Sequence, residues 1–154
     1  MNIFMDTEFS DFDECYLLSI ALVSTDRQFY GELKEGVVSI KKCSNFVIEN
    51  VIPKLWKNQA NIYETKADLA AAVRQFLDGF LDENPVLCFD FEGDFDLIFG
   101  LLDCNFPAFI STKNVYHQID RIEFKNHIKT LFGAGADHHA LHDAMANMLS
   151  FRNT

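Results

Sequence analysis

The sequence predicts an α/β fold in which a mixed β-sheet is flanked by α-helices. Two apolar runs of strand length, residues 2–6 and 16–24, are followed by an alternating run at 27–33. A connection of only two residues separates the second and third runs, so the first three strands should form an antiparallel meander. A helical region then precedes a buried run at 86–89. That order predicts a crossover that returns a later, parallel strand beside the first.

The helices are predicted from apolar residues that recur at helical spacing. The clearest pattern covers residues 65–82, where Thr65 can cap the N-terminus and the apolar side chains form one stripe. A second helical pattern covers residues 44–57, and Pro53 is expected to interrupt that helix. Counting this interrupted one, four further helices are predicted at residues 44–57, 93–103, 118–132 and 139–151.

Length and composition indicate a globular protein. With 154 residues, about half of them apolar and sixteen of them Phe, the chain is expected to form a single domain over residues 1–154. No apolar run approaches about 18 residues, and the N-terminus lacks a basic segment followed by an apolar one. Neither a transmembrane helix nor a signal peptide is therefore expected.

Cysteine spacing and charge narrow the function classes. The four cysteines are widely spaced without a C-x-x-C pair, which favours a reduced, cytoplasmic protein and excludes a zinc ribbon. The net charge of −10 argues against non-specific adhesion to nucleic acid through a basic surface. It is compatible with a site where bound cations offset clustered acids.

The first strand carries an unusual pair of carboxylates. Asp6 and Glu8 follow an apolar run, and because they are two residues apart on a strand, both side chains point to one face. Carboxylates that close repel each other unless a cation lies between them, and divalent metals prefer oxygen ligands. The alternative is a strand end that reaches solvent, and this pair alone leaves both interpretations open.

A second acidic cluster follows the predicted fourth strand and opens a helix. Asp96 stands between Phe95 and Leu97, inside the apolar pattern, where a carboxylate needs a partner. Asp96 is therefore the candidate functional acid of this segment. The other acids suit a helix N-terminus, where the macrodipole favours negative charge, and they are interpreted as caps or solvated acids: Asp90, Glu92 and Asp94.

The third cluster lies in the segment GAGADHHALHDAMAN, residues 133–147. A neutral imidazole on a glycine-rich loop, such as that of His138, can take a proton from water near neutral pH. Asp143 lies in the first turns of the following helix, where Ala140 and Ala144 would allow close approach to a sheet. The alternatives are a polar helix start with Asp143 as a surface acid, or a less favoured zinc site built from three histidines.

Together the motifs D-x-E, F-D and H-x-A-x-x-D, in this order and on these elements, resemble the DEDDh family of 3′→5′ exonucleases. The resemblance extends from Asp6 to Asp143. The short chain and the D-T-E-F opening are most similar to small stand-alone bacterial exoribonucleases of that family. The fold that the resemblance implies is ribonuclease H-like.

The resemblance also implies roles for individual residues. Asp6 would bridge two Mg²⁺ or Mn²⁺ ions, Glu8 and Asp143 would complete the first site, and Asp96 would bind the second ion. Asp94 is the alternative for this last acid, and the F-D motif favours Asp96. His138 would be the general base that activates the attacking water. The spacing to Ala140 and Asp143 selects His138 rather than the adjacent His139.

Candidate substrate contacts are an aromatic residue and a basic stripe. Phe9 follows Glu8 and could stack on the terminal base, although core packing is an equally good interpretation. Arg121, Lys125 and Lys129 recur every four residues, so they share one helix face that could track phosphates. The alternative for these three residues is an ordinary solvated face.

The expected function is a metal-dependent 3′→5′ exoribonuclease that shortens single-stranded RNA or 3′ overhangs. Single-stranded 3′ ends are the expected partner, with RNA favoured over DNA, no membrane partner and a homodimer left open. Enzyme alternatives are a DNA-directed exonuclease or a phosphodiesterase for short oligonucleotides. Outside enzymes, the alternatives are a non-catalytic nucleic-acid-binding module on the same fold and an acidic structural protein with chance motifs.

Overall fold

The computed structural model describes residues 1–152, which form a mixed sheet with helices on both faces. The strands are β1 (Asn2–Phe9), β2 (Leu17–Val23), β3 (Gln28–Leu33), β4 (Ile62–Tyr63), β5 (Val86–Phe89) and β6 (Ser111–Asn114). The α-helices are α1 (Asn45–Asn50), α2 (Lys66–Asp78), α3 (Glu92–Leu101), α4 (Arg121–His127) and α5 (Ala140–Ser150). The predicted domain includes Asn153 and Thr154, which lie outside the described residues, and its organisation as one exonuclease domain stays a prediction.

The sheet has the strand order β4-β3-β2-β1-β5-β6. The meander is confirmed, because β1 pairs antiparallel with β2 and β2 pairs antiparallel with β3. The crossover is also confirmed, because β5 returns parallel to β1. The sequence did not predict β4 or β6. The first has only two residues, and the second, STKN, is polar and exposed, so neither shows the apolar pattern of a strand.

The helices follow the predicted pattern with shifted ends. Thr65 caps α2 by accepting from the Asp68 N–H, as predicted, and the helix ends at Asp78. Pro53 falls in a 3₁₀ turn after α1, so the predicted first helix is shorter than expected. The predicted helix at 118–132 begins later, as α4 at Arg121, and continues into a π turn over Ile128–Phe132, whereas Tyr116–Gln118 form a separate 3₁₀ turn. No helix within residues 1–152 is long and apolar enough to cross a bilayer.

The two faces of β1 pack against different helices. Ile3 and Met5 are fully buried in the main core, which α2 and α3 cover. Phe4 points the opposite way, where its ring meets Phe151 with a centroid distance of 5.2 Å. Because side chains alternate along a strand, Asp6 and Glu8 share the face of Phe4, which is the face that α4 and α5 cover.

Small residues let α5 lie close to this face. Ala140 and Ala144 are fully buried and pack against Ala21 and Val23 of β2. This close packing was expected from the two alanines. It brings Asp143, which lies between them on the helix, to the carboxyl end of β1.

Candidate active site

Carboxylates from several elements converge where β1 and β5 end. Their oxygens form two overlapping groups, each with ligand atoms within 4.8 Å of one another. One group joins Asp6 and Glu8 of β1 to Asp143 of α5, and the other joins Asp6 to Asp90 and Asp94. Asp6 belongs to both groups, so it lies between two places where a cation could sit. We call these five residues the acidic cluster.

The structure places Asp94, not Asp96, in the acidic cluster. Asp94 is only 2% exposed and accepts a hydrogen bond from the Thr7 hydroxyl at 2.5 Å. Asp96 is exposed and lines a separate cavity of about 280 Å³ with Cys15 and Lys66. Two residues along a helix differ by about 200° in direction, so only one of these acids can face β1. The expectation that Asp96 would face the other acids is therefore corrected.

Asp90 is a second acid that the sequence interpretation missed. It directly follows β5, whose carboxyl end lies beside that of β1 because the strands are parallel. Its carboxylate accepts from Arg121 Nη1 at 2.8 Å and from Asn147 Nδ2 at 3.1 Å. A carboxylate just after a strand parallel to β1 was the signal that could have identified it.

The acidic cluster strongly perturbs its own protonation. Burial, followed by repulsion from Asp94 and Asp143, raises the pKa of Asp6 well above its usual value. Burial first, and then repulsion from Asp143, raises the pKa of Glu8 to about 8. Burial likewise raises the pKa of Asp94 and that of Asp143 to about 7 each. The protein therefore holds several carboxylates together at a cost that bound cations would remove.

One oxygen of the cluster is also unsatisfied. Asp143 Oδ1 is buried and has no hydrogen-bond partner within residues 1–152, whereas Oδ2 accepts the His138 N–H at 3.0 Å. Buried polar atoms normally have a partner. An unpaired carboxylate oxygen among repelling acids fits a divalent cation, which prefers such hard ligands.

His138 lies on the loop that leads to α5. Gly133 and Gly135 adopt positive φ, which permits the sharp turns of this loop, and His138 itself has φ of 58°. Its ring lies edge-on against Phe46 with a centroid distance of 4.9 Å. His138 lines both cavities that adjoin the acidic cluster.

The neighbouring histidines have a different environment. His139 stacks on Tyr30 at 4.7 Å and on His142 at 4.2 Å, and burial lowers its pKa to about 4. His142 Nδ1 lies 2.8 Å from the Ala136 carbonyl oxygen. In the described part of the chain, the clustered ligand groups contain carboxylates only, so the zinc alternative has no support.

Two cavities meet at the acidic cluster, and we call them the aromatic cavity and the lysine cavity. The aromatic cavity, about 710 Å³, is lined by Phe9, Phe12, Phe46 and Phe91 beside the acids. Phe9 packs on Phe12 and Phe91, with centroids 5.2 and 6.0 Å apart. Although half-buried, Phe9 therefore contributes to a cavity wall.

The lysine cavity, about 640 Å³, holds Lys125 and Lys129 with the 133–137 loop. Arg121, the third residue of the predicted stripe, pairs instead with Asp90 and lies over the Tyr116 ring at 4.6 Å. The structure thus brings two members of the stripe to a cavity wall. The third is engaged with the acidic cluster.

The raised pKa values predict that stability without metal falls as pH rises. In the unfolded chain these carboxylates lose their protons near pH 4, whereas in the folded state Glu8, Asp94 and Asp143 keep theirs to about pH 7–8. The folded state binds more protons in this interval. The stability that these groups contribute is therefore fully present below about pH 4 and is lost as the pH rises to about 8. Each pKa unit by which folding raises one of these carboxylates corresponds to about 1.4 kcal/mol, or roughly 3–5 °C in melting temperature.

Melting in EDTA between pH 5.5 and 8.5 measures this slope. Asp143→Asn should flatten it, whereas Asp96→Asn, outside the cluster, should leave it unchanged. Mn²⁺ should raise the melting temperature more at pH 8.5 than at pH 5.5, because it binds deprotonated ligands. A melting temperature independent of pH and metal would contradict this account of the cluster.

Comparison with known proteins supports the fold. No family model matches the sequence, and no curated protein sequence matches it. Among solved structures, the chain is similar to S. pombe Pop2p in its Mg²⁺- and Mn²⁺-bound form, with a TM-score of 0.64 and 12% sequence identity. The match covers 96% of this chain and 80% of that chain. The mixed sheet flanked by helices thus has the expected ribonuclease H-like fold.

Proposed function

We propose that this protein is a metal-dependent 3′→5′ exonuclease that removes nucleotides from single-stranded RNA ends. One observation carries the proposal. Two sets of three acidic residues, both of which include Asp6, lie beside His138 at the junction of two cavities. The motif resemblance to the DEDDh family and the fold of Pop2p point in the same direction. Pop2p binds Mg²⁺ and Mn²⁺ in that structure, and the same ions suit this all-carboxylate ligand set.

The acids would divide into two ion sites. Asp6, Glu8 and Asp143 would hold one ion, while Asp6, Asp94 and Asp90 would hold the other. Divalent ions held there would lower the pKa of a water molecule and would stabilise charge on the phosphate and the leaving oxygen. Thr7 would keep the Asp94 carboxylate turned toward Asp6 through its hydroxyl.

His138 would act as the general base. Its imidazole would accept a proton from a water whose oxygen forms a new bond to the phosphorus. The bond between phosphorus and the 3′ oxygen breaks, and that oxygen takes a proton from solvent. The products are a nucleoside 5′-monophosphate and a chain shortened by one nucleotide with a free 3′ hydroxyl.

The cavities support a single-stranded end as the substrate. Exposed aromatic rings, among them Phe12 and Phe91, can stack on the faces that unpaired bases leave free. Lys125 and Lys129 supply positive charge on the other side of the acids. The preference for RNA over DNA and a cytoplasmic location stay predictions from the sequence, and a homodimer stays open.

The test uses matched 5′-labelled single strands of RNA and DNA, incubated with the protein and Mn²⁺ or Mg²⁺. A ladder that shortens from the 3′ end is expected, with RNA degraded faster than DNA. EDTA and the isosteric variant Asp6→Asn should abolish the ladder, because Asp6 belongs to both carboxylate groups.

Other outcomes separate the alternatives. Faster shortening of DNA would indicate the DNA-directed exonuclease. Cleavage confined to oligonucleotides of about two to five nucleotides would indicate the phosphodiesterase. Metal-dependent binding of intact strands without cleavage would indicate the non-catalytic module. Activity that survives in Asp6→Asn would overturn the proposed site.

A further inference from the structure

The peptide group between Asp137 and His138 accepts a side-chain hydrogen bond at one end and donates one at the other. Its N–H, which belongs to His138, donates to Asp143 Oδ2 at 3.0 Å. Its carbonyl oxygen, which belongs to Asp137, accepts a hydrogen bond from Lys54 Nζ. Hydrogen bonds with one ionised partner are stronger than neutral ones, so this peptide plane is fixed more firmly than ordinary loop backbone.

This peptide sets the direction of the candidate base. His138 has φ of 58°, a left-handed conformation that costs a non-glycine residue about 1 kcal/mol or more. Such a conformation persists only where surrounding contacts impose it. Asp143 supplies one of those contacts from α5, and Lys54 supplies another from the connection between α1 and β4.

The segment that follows Lys54 is hydrogen-bonded to strand β3. Lys54 ends a short 3₁₀ turn, and two residues later the Trp56 N–H donates to the carboxylate of Glu32. The Trp56 indole also donates to the Leu33 carbonyl at 2.8 Å. Glu32 is 2% exposed and accepts the Tyr30 hydroxyl at 2.8 Å. The segment after Lys54 is thus bound to the buried strand β3.

We propose that Lys54 is a positioning residue, which with Asp143 clamps the 137–138 peptide and so holds His138 at the junction of the two cavities, beside the acidic cluster. This inference deepens the proposed exonuclease function and rests on it. It also links the two parts of the site, because Asp143, a candidate ion ligand, binds the same peptide.

Steady-state kinetics test the clamp in the full-length protein. Lys54→Met is expected to lower kcat about tenfold or more with KM within about twofold, since a displaced base slows chemistry rather than binding. Lys54→Arg should recover most of kcat, because it keeps a charged donor. The control is Lys57→Met, which removes an exposed lysine three residues along the same connection and should leave both constants unchanged.

A double-mutant cycle with His138→Asn separates the clamp from other roles. If Lys54 acts through His138, Lys54→Met causes no further loss once the imidazole is gone. An equal further loss in that background would overturn the proposal. A rise in KM with kcat unchanged would also overturn it, because it would make Lys54 a substrate contact.

Amide hydrogen exchange tests the clamp without any substrate. The amides of residues 134–138 should exchange about ten times faster in Lys54→Met than in the wild type, and at the wild-type rate in Lys57→Met. Unchanged exchange in Lys54→Met would overturn the clamp. If the wild type cleaves no RNA, the proposed function fails, and the exchange result still decides whether the clamp exists.

Discussion

Replacing Asp94 with asparagine is expected to lower the rate of 3′-end hydrolysis by about two to three orders of magnitude. Asn has nearly the same shape but removes one anionic ligand from the group that Asp94 forms with Asp6 and Asp90. The same change should raise the melting temperature in EDTA at pH 8, because it removes a buried, repelled charge. The measurements are ladder assays with Mn²⁺ and melting curves with and without the ion.

Asp96→Asn is the matched control, two residues along the same helix. Asp96 is exposed and lies in a different cavity, so its replacement should change the rate by no more than about twofold. A large loss in Asp96→Asn together with an active Asp94→Asn would reverse the assignment of this acid. Equal, small effects from both variants would remove α3 from the site altogether.

Replacing His138 with asparagine is expected to lower kcat by about 10²–10⁴-fold, the usual contribution of a general base. Asparagine is chosen because it tolerates the left-handed backbone of this position better than alanine does. The melting temperature should still rise with Mn²⁺, since the carboxylates that would hold the ions remain. Single-turnover kinetics with excess protein measure this effect without interference from product release.

His139→Asn distinguishes the two adjacent imidazoles. His139 stacks between Tyr30 and His142, so its loss should reduce stability, while the folded protein should keep most of the proposed activity. Assays at 15 °C, well below the melting transition, separate these two effects. If His139→Asn lost as much kcat as His138→Asn while still folded, His138 would not be the sole base.

Local sequence patterns predicted the elements that carry the site. Period-2 patterning placed Asp6 and Glu8 on one face of β1, and the cap at Thr65 gave the start of α2. The short connection after β2 predicted the meander, and the alanines of α5 predicted its close approach to the sheet. These features depend on residues near one another in the chain, so the sequence is sufficient to predict them.

The choice between Asp94 and Asp96 depended on information of another kind. Both acids stand near the start of α3, and the F-D pattern favoured Asp96. The helix begins at Glu92, and its rotation against β1 turns Asp94 toward Asp6 and Asp96 away from it. A helix turns about 100° per residue, so small differences in where it begins and docks decide which side chain reaches the site.

By itself, the sequence determined the fold class, the order of the main elements and three motif-bearing segments. These features follow from hydrophobic periodicity and motif spacing, which depend on residues close together in the chain. Only the tertiary structure decided that Asp90 and Asp94 join Asp6, and that Lys54 reaches the peptide before His138. Those contacts join residues as far as 88 positions apart, as between Asp6 and Asp94. They depend on how parallel strands, helices and connections pack in space, which no local pattern specifies.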